Sequence, residues 1–258
     1  MQEVIEICQK VVLNLGFFPF FLILSLGLLA FIFQTFKTRI FINNILKNRE
    51  KPPLELKPLF RALQLEDKID VVYSSKPLSF CYGFLNPRIC LSTGLLRNLT
   101  RGELKAVLLH ESYHLKNFDP FKIILSSTLS SMLFFLPVFK DFHRHYLLTK
   151  EISADRLSIG KGEKTSLISV LGKFLNYPGV ELNFVAALTG EALEARIFYL
   201  KSGKKFNLGV SKTNVFISIV SLFILFLAFS TPVSGDAEGG SCYAPIKNFS
   251  ENVLYTPK

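Results

Sequence analysis

Apolar and polar positions divide this chain into long uncharged runs and shorter periodic stretches. Residues 11–36 carry no charged side chain, and neither do residues 213–233. Each run is long enough to cross a bilayer as a helix, which takes about 20 residues. A third uncharged run, residues 123–139, is shorter and borderline for a span. Residues 69–73 and 88–92 are strand-like. Residues 77–84 lie between them and end at the turn pair Asn86-Pro87, so a small sheet is expected here. Residues 37–68 are basic and helical in pattern, interrupted by Pro52-Pro53 and Pro58. Thr100 and Glu103 then form a T-x-x-E capping box, and Leu104, Val107, Leu108 and Leu115 recur at helical spacing. That pattern predicts a helix over about 101–118. Residues 166–175 and 190–200 also read as helices, separated by Pro178-Gly179. The tail from Ser234 is rich in Gly, Ser and Pro and reads as poorly ordered.

Composition agrees with membrane insertion. Nearly half of the 258 residues (49%) are hydrophobic, 26 of them Phe, and mean hydropathy is +0.34. The first run does not read as a cleaved signal, because its amino-terminal flank holds Glu3 and Glu6 and the run is too long. Charge gives an orientation. Lys37, Arg39, Lys47, Arg49 and Lys51 follow the first run, and Lys201, Lys204, Lys205 and Lys212 precede the last. The positive-inside rule then places residues 37–212 in the cytoplasm and both ends outside. The expected domains are therefore a span at 11–36, a cytoplasmic domain at 37–212, a span at 213–233 and an extracytoplasmic tail at 234–258. The net charge of +10 is accounted for by basic flanks facing anionic lipid. Membrane lipid is thus an expected partner, and direct nucleic-acid binding is not. Cys81 and Cys90 lack a C-x-x-C spacing and read as buried apolar residues.

The chemistry concentrates at His110-Glu111-Ser112-Tyr113-His114. On a helix, histidines at i and i+4 share a face and can reach one zinc ion, with Glu111 near enough to handle a water proton. Three fixed residues also occur by chance on amphipathic helices. Here the capping box and apolar stripe put the motif on a helix, which favours a site. A catalytic zinc needs a third protein ligand. Glu151 is the best downstream candidate, and Asp155, on the same helical face, is placed to orient a ligand histidine. His143 and His145 compete, but an i, i+2 pair on a helix does not converge. Sharing one metal requires His110 and Glu151 to lie on the same side of the membrane. Residues 123–139 must then re-enter, lie along the interface or be buried, which suits Pro137 and the many serines.

Phe80-Cys81-Tyr82-Gly83-Phe84-Leu85-Asn86-Pro87-Arg88-Ile89, Glu103-Leu104, the His110–His114 motif, Asp119, Glu151-x-x-x-Asp155 and Ala195-Arg196-Ile197 together resemble the metallopeptidase domain of the BlaR/MecR-type membrane proteases. The resemblance covers roughly residues 70–200. Ser92-Thr93-Gly94-Leu95-Leu96 is similar to the HtpX/CAAX-type proteases, which share the ligand logic. The resemblance implies a gluzincin, with His110, His114 and Glu151 as zinc ligands and Glu111 as catalytic base. Its fold would be an α+β membrane protein: a mainly helical domain with a small sheet, two transmembrane helices and one re-entrant or interfacial helix. It further implies cleavage of a cytoplasmic or membrane-associated protein, a transcriptional repressor being one such partner. Membrane quality control and a non-catalytic signalling role are the alternatives, and intact Glu111 argues against the second. The chain departs from antibiotic-sensing members in having only a short stretch after the last run, and Tyr113 is bulkier than the residue usual there. Ser202-Gly203-Lys204-Lys205 fits S-x-x-K but lacks companion motifs and is set aside. Arg196, His145 and Tyr146 are the candidates for stabilising an oxyanion. The strand at 79–84, if it forms a sheet edge, would pair with an extended substrate.

Overall fold

In the computed structural model, residues 2–175, 190–203 and 209–230 are described. The 234–258 tail, Pro178-Gly179, Lys204 and Lys205 lie outside them. A 45-residue helix, α1 (Gln2–Leu46), opens the chain. It runs ten residues past the uncharged stretch expected to form the first span. The extension exists because Ile42, Ile45 and Leu46 form an apolar stripe that packs on Val72, Phe80, Tyr82 and Cys90 of the sheet. Phe21–Leu46 is long and apolar enough to cross a membrane.

The sheet has four strands, β1 (Arg49–Glu50), β2 (Ile69–Val72), β3 (Ser79–Tyr82) and β4 (Arg88–Ser92), in the order β1-β2-β4-β3. β2 and β4 run parallel, and the outer pairs are antiparallel. The pleat divides the residues between two faces. Val72, Phe80, Tyr82 and Cys90 meet α1. Val71, Ile89 and Leu91 join Leu59, Phe60, Leu65 and Leu95 in the main core beneath α4 (Arg101–Lys116). Asp70, buried on the α1 face, binds Arg49, Tyr82 and Arg88, so one carboxylate ties all four strands together. Both expected core cysteines are free; Cys90 is buried and Cys81 half-buried.

α4 begins at the expected capping box: the Thr100 hydroxyl accepts from the Glu103 amide, and the Glu103 carboxylate accepts from the Thr100 amide. Short helices α2 (Lys57–Ala62) and α3 (Thr93–Asn98) flank the sheet. After α4 the chain turns at Phe118, whose φ of 55° is left-handed, into α5 (Asp119–Met132). The run 123–139 is not one helix. It is broken at residues 133–137, and α6 (Val138–Gly160) returns against α5 and along α4. Pro137 sits at the N-cap of α6, where its missing amide costs no helical hydrogen bond. α5 also packs on α1. Gln34 exchanges hydrogen bonds with Ser127 and Thr128 (3.0 Å each), and Gly27 leaves room for Met132. α7 (Lys164–Leu175) and α8 (Gly190–Ser202) complete the helical layer. α9 (Lys212–Ser230) docks on α6 through Asn214–Asp141 and Ser218–Val138 hydrogen bonds. Its described apolar stretch, Lys212–Leu227, is shorter than a spanning helix requires, and Phe21–Leu46 is the one candidate span among the described residues. The protein is mostly helical with a small mixed sheet.

Candidate metal centre

α4 and α6 lie side by side, and their facing stripes build the site. One helical turn separates His110 from His114, which brings their Nε2 atoms to 3.2 Å. α6 supplies Glu151, whose Oε2 lies 3.3 Å from His110 Nε2 and whose Oε1 lies 3.4 Å from His114 Nε2. All three residues are buried. The arrangement fits a metal on independent grounds. Ligands about 2.0–2.1 Å from a tetrahedral zinc lie roughly 3.3 Å from one another, which is the spacing of these three groups. Both Nδ1 atoms are already engaged, so the Nε2 atoms are the ones left to bind. His110 Nδ1 meets Asp155 Oδ1 at 2.9 Å, and His114 Nδ1 meets Asp119 Oδ2 at 2.8 Å.

The surrounding charges favour a cation. Burial alone would lower the pKa of His114, but Glu151 and Asp119 outweigh it and raise it to about 10. Burial would raise Glu151; His114 and His110 instead hold it well below the ordinary carboxylate range. Asp155 is also lowered, because Arg196 and His110 outweigh its burial. Glu111 is buried beside this group, and its Oε1 accepts a hydrogen bond from Ser79 Oγ on β3 at 2.8 Å.

His110, Glu111, His114, Glu151 and Asp155 are thus brought together as the spacing argument requires. The competing histidines are not. His143 Nδ1 lies 2.9 Å from Ser126 Oγ, and exposed His145 is close to Thr149 of its own helix. Arg196, one of three candidates for stabilising an oxyanion, is engaged by the site's carboxylates. Its guanidinium is buried, bonded to Asp155 at 2.7 and 2.8 Å and paired with Glu151 at 3.2 Å. It anchors α8 to the site and holds both carboxylates in place. The buried Tyr146 hydroxyl has no hydrogen-bond partner among the described residues. Three participants carried no assigned role in the sequence reading: Asp119, Ser79 and Lys150, whose Nζ pairs with Asp119 Oδ1 at 3.0 Å. Asp119 was visible as an acid five residues after His114, backed by Pro120. Ser79 and Lys150 had no local signature.

Two histidines one turn apart and a carboxylate from a second helix, with a glutamate between the histidines, form a cluster that could hold a metal ion. The chain belongs to the BlaR1 peptidase M56 family, whose pattern it matches over residues 12–168. It is also 28% identical over 114 residues to the Regulatory protein BlaR1 of Staphylococcus aureus. That stretch is 43% of this chain and 19% of the length of that relative.

Proposed function

We propose that this chain is a membrane-embedded zinc endopeptidase whose active site faces the cytoplasm and whose substrate is a protein in, or close to, the membrane. The observation that carries the reading is the 3.2–3.4 Å triangle of His110 Nε2, His114 Nε2 and Glu151 carboxylate oxygens beside buried Glu111. A zinc ion held there would supply Lewis acidity toward a peptide carbonyl and acidify water. The protein's own groups do the rest. Asp155 and Asp119 fix the tautomers of His110 and His114. Glu111 takes the proton of the attacking water and delivers it to the leaving amine. Ser79 orients Glu111 and joins it to the edge strand β3. β3 has β4 on one side and no strand on the other among the described residues. An extended substrate pairing with that edge would pass in front of Glu111.

Membrane placement rests on the basic flanks of residues 11–36 and 213–233 and on the return of α6 along α5, which lets α4 and α6 share one side. A regulated substrate such as a transcriptional repressor is favoured by the likeness to a regulatory protein. The test is Glu111→Gln in purified full-length protein. Zinc stays near one per chain, while casein cleavage falls by roughly 10²–10⁴-fold. Undiminished cleavage would assign the proton transfer elsewhere.

A further inference from the structure

The edge strand does not end at the metal centre. At its far end, Tyr82, and in the Gly83-Phe84 that follow, the chain borders a cavity of about 490 Å³ between the sheet and α1, lined also by Thr35, Phe36, Arg39 and Ile42 among others. This is within the range of roughly 300–1,000 Å³ typical of ligand sites. Its walls are mostly apolar, and one of them is the membrane helix itself.

The pleat says what reaches it. The Leu78 carbonyl accepts from the Ser92 amide. By alternation, Ser79 and Cys81 turn their main-chain groups to the open edge, where a substrate strand would pair. Side chains directly opposite one another share a face. Substrate residues across from Ser79 and Cys81 therefore project to the α4 side, where Glu111 lies. The residue across from Tyr82 projects to the α1 side, where the cavity is. Tyr82 is three residues from Ser79, about 10 Å along the strand. The cavity and the proton-transfer group are then read by opposite faces of a single extended peptide.

We propose that this cavity is a specificity subsite for a large apolar side chain, Leu or Phe in class, three positions along the substrate from the residue paired with Ser79. The inference rests on the edge-strand reading above. It makes α1 a wall of the substrate cleft as well as an anchor, and it selects substrates that carry an apolar residue at a fixed distance from the cut.

The test uses full-length protein in nanodiscs. Cleavage sites in β-casein are mapped by mass spectrometry, and the best-cleaved site is remade as peptides with Leu, Phe or Ala at the position in question. Wild type should favour Leu or Phe over Ala by roughly tenfold or more in kcat/KM. Asn43→Trp, which fills the cavity from α1, should bring that ratio to near one. Asn44→Trp, on the other flank of α1, should keep the wild-type ratio and controls for folding. If wild type cleaves nothing, binding of β-casein 12-mers to zinc-loaded Glu111→Gln protein is compared with and without Asn43→Trp. Apolar-dependent binding lost in the filled variant would sustain the subsite while the catalytic reading fails. No positional preference, a preference unchanged by Asn43→Trp, or loss only of co-purifying phospholipid would overturn the proposal.

Discussion

At the scale of single residues, the site is a nest of carboxylates around two imidazoles. Asp119 shows how it works. It is fully buried, orients His114 through Nδ1 and is itself held by Lys150. Removing its charge while keeping its shape should free the imidazole to rotate and lower its basicity. Asp119→Asn is therefore expected to weaken zinc binding by roughly 10–100-fold in a chelator competition; unchanged affinity would mean that Asp119 is only a packing residue. The motif residues were legible because their contacts are local: His110, Glu111 and His114 share one helical turn, and Glu151 and Asp155 share another. The pairings of Lys150 and Arg196 were not. Lys150 meets Asp119 only after the chain reverses at residues 133–137, and Arg196 meets Asp155 across 41 positions. Pairings of that kind are set by tertiary packing, and no sequence period encodes them.

Among the elements, α4 matters most, because its register sets the distance between the ligands. Its amino terminus is pinned by Glu103, which closes the capping box and accepts from Ser169 (2.6 Å) and Lys173 (2.7 Å) on α7. Burial would raise this carboxyl, but Lys173, Ser169 and the Thr100 amide outweigh it and lower its pKa to about 2. A depressed folded-state pKa gives stability that is present above the ordinary value of 4.5 and is lost as pH falls toward about 2. Glu103→Gln should cost about 1–2 kcal/mol at pH 7. The gap from wild type in thermal unfolding should narrow from pH 4.5 downward and close near pH 2. A gap independent of pH would assign the effect to packing. The capping box and the strands β2, β3 and β4 were readable in advance because each depends on neighbours in sequence, whereas β1, in the stretch read as helical, exists only by pairing with β2. The length of α1 was not, since its last turns are fixed by the sheet they cover.

For the whole molecule, a helix long and apolar enough to cross a membrane packs on the sheet and on α5, beside the two helices that carry the candidate metal centre. Lys47, His145 and Lys205 should all report the cytoplasm in cysteine-labelling or reporter-fusion experiments, and Glu238 the outside. His145 outside with Lys47 inside would separate Glu151 from His110 across the membrane. The central claim is that His110, His114 and Glu151 together hold zinc. It is tested most directly by elemental analysis of purified wild-type and Glu151→Ala protein side by side. The account expects about one zinc per chain in wild type and a loss of most of it in Glu151→Ala. Full zinc in the variant, or none in wild type, would contradict it.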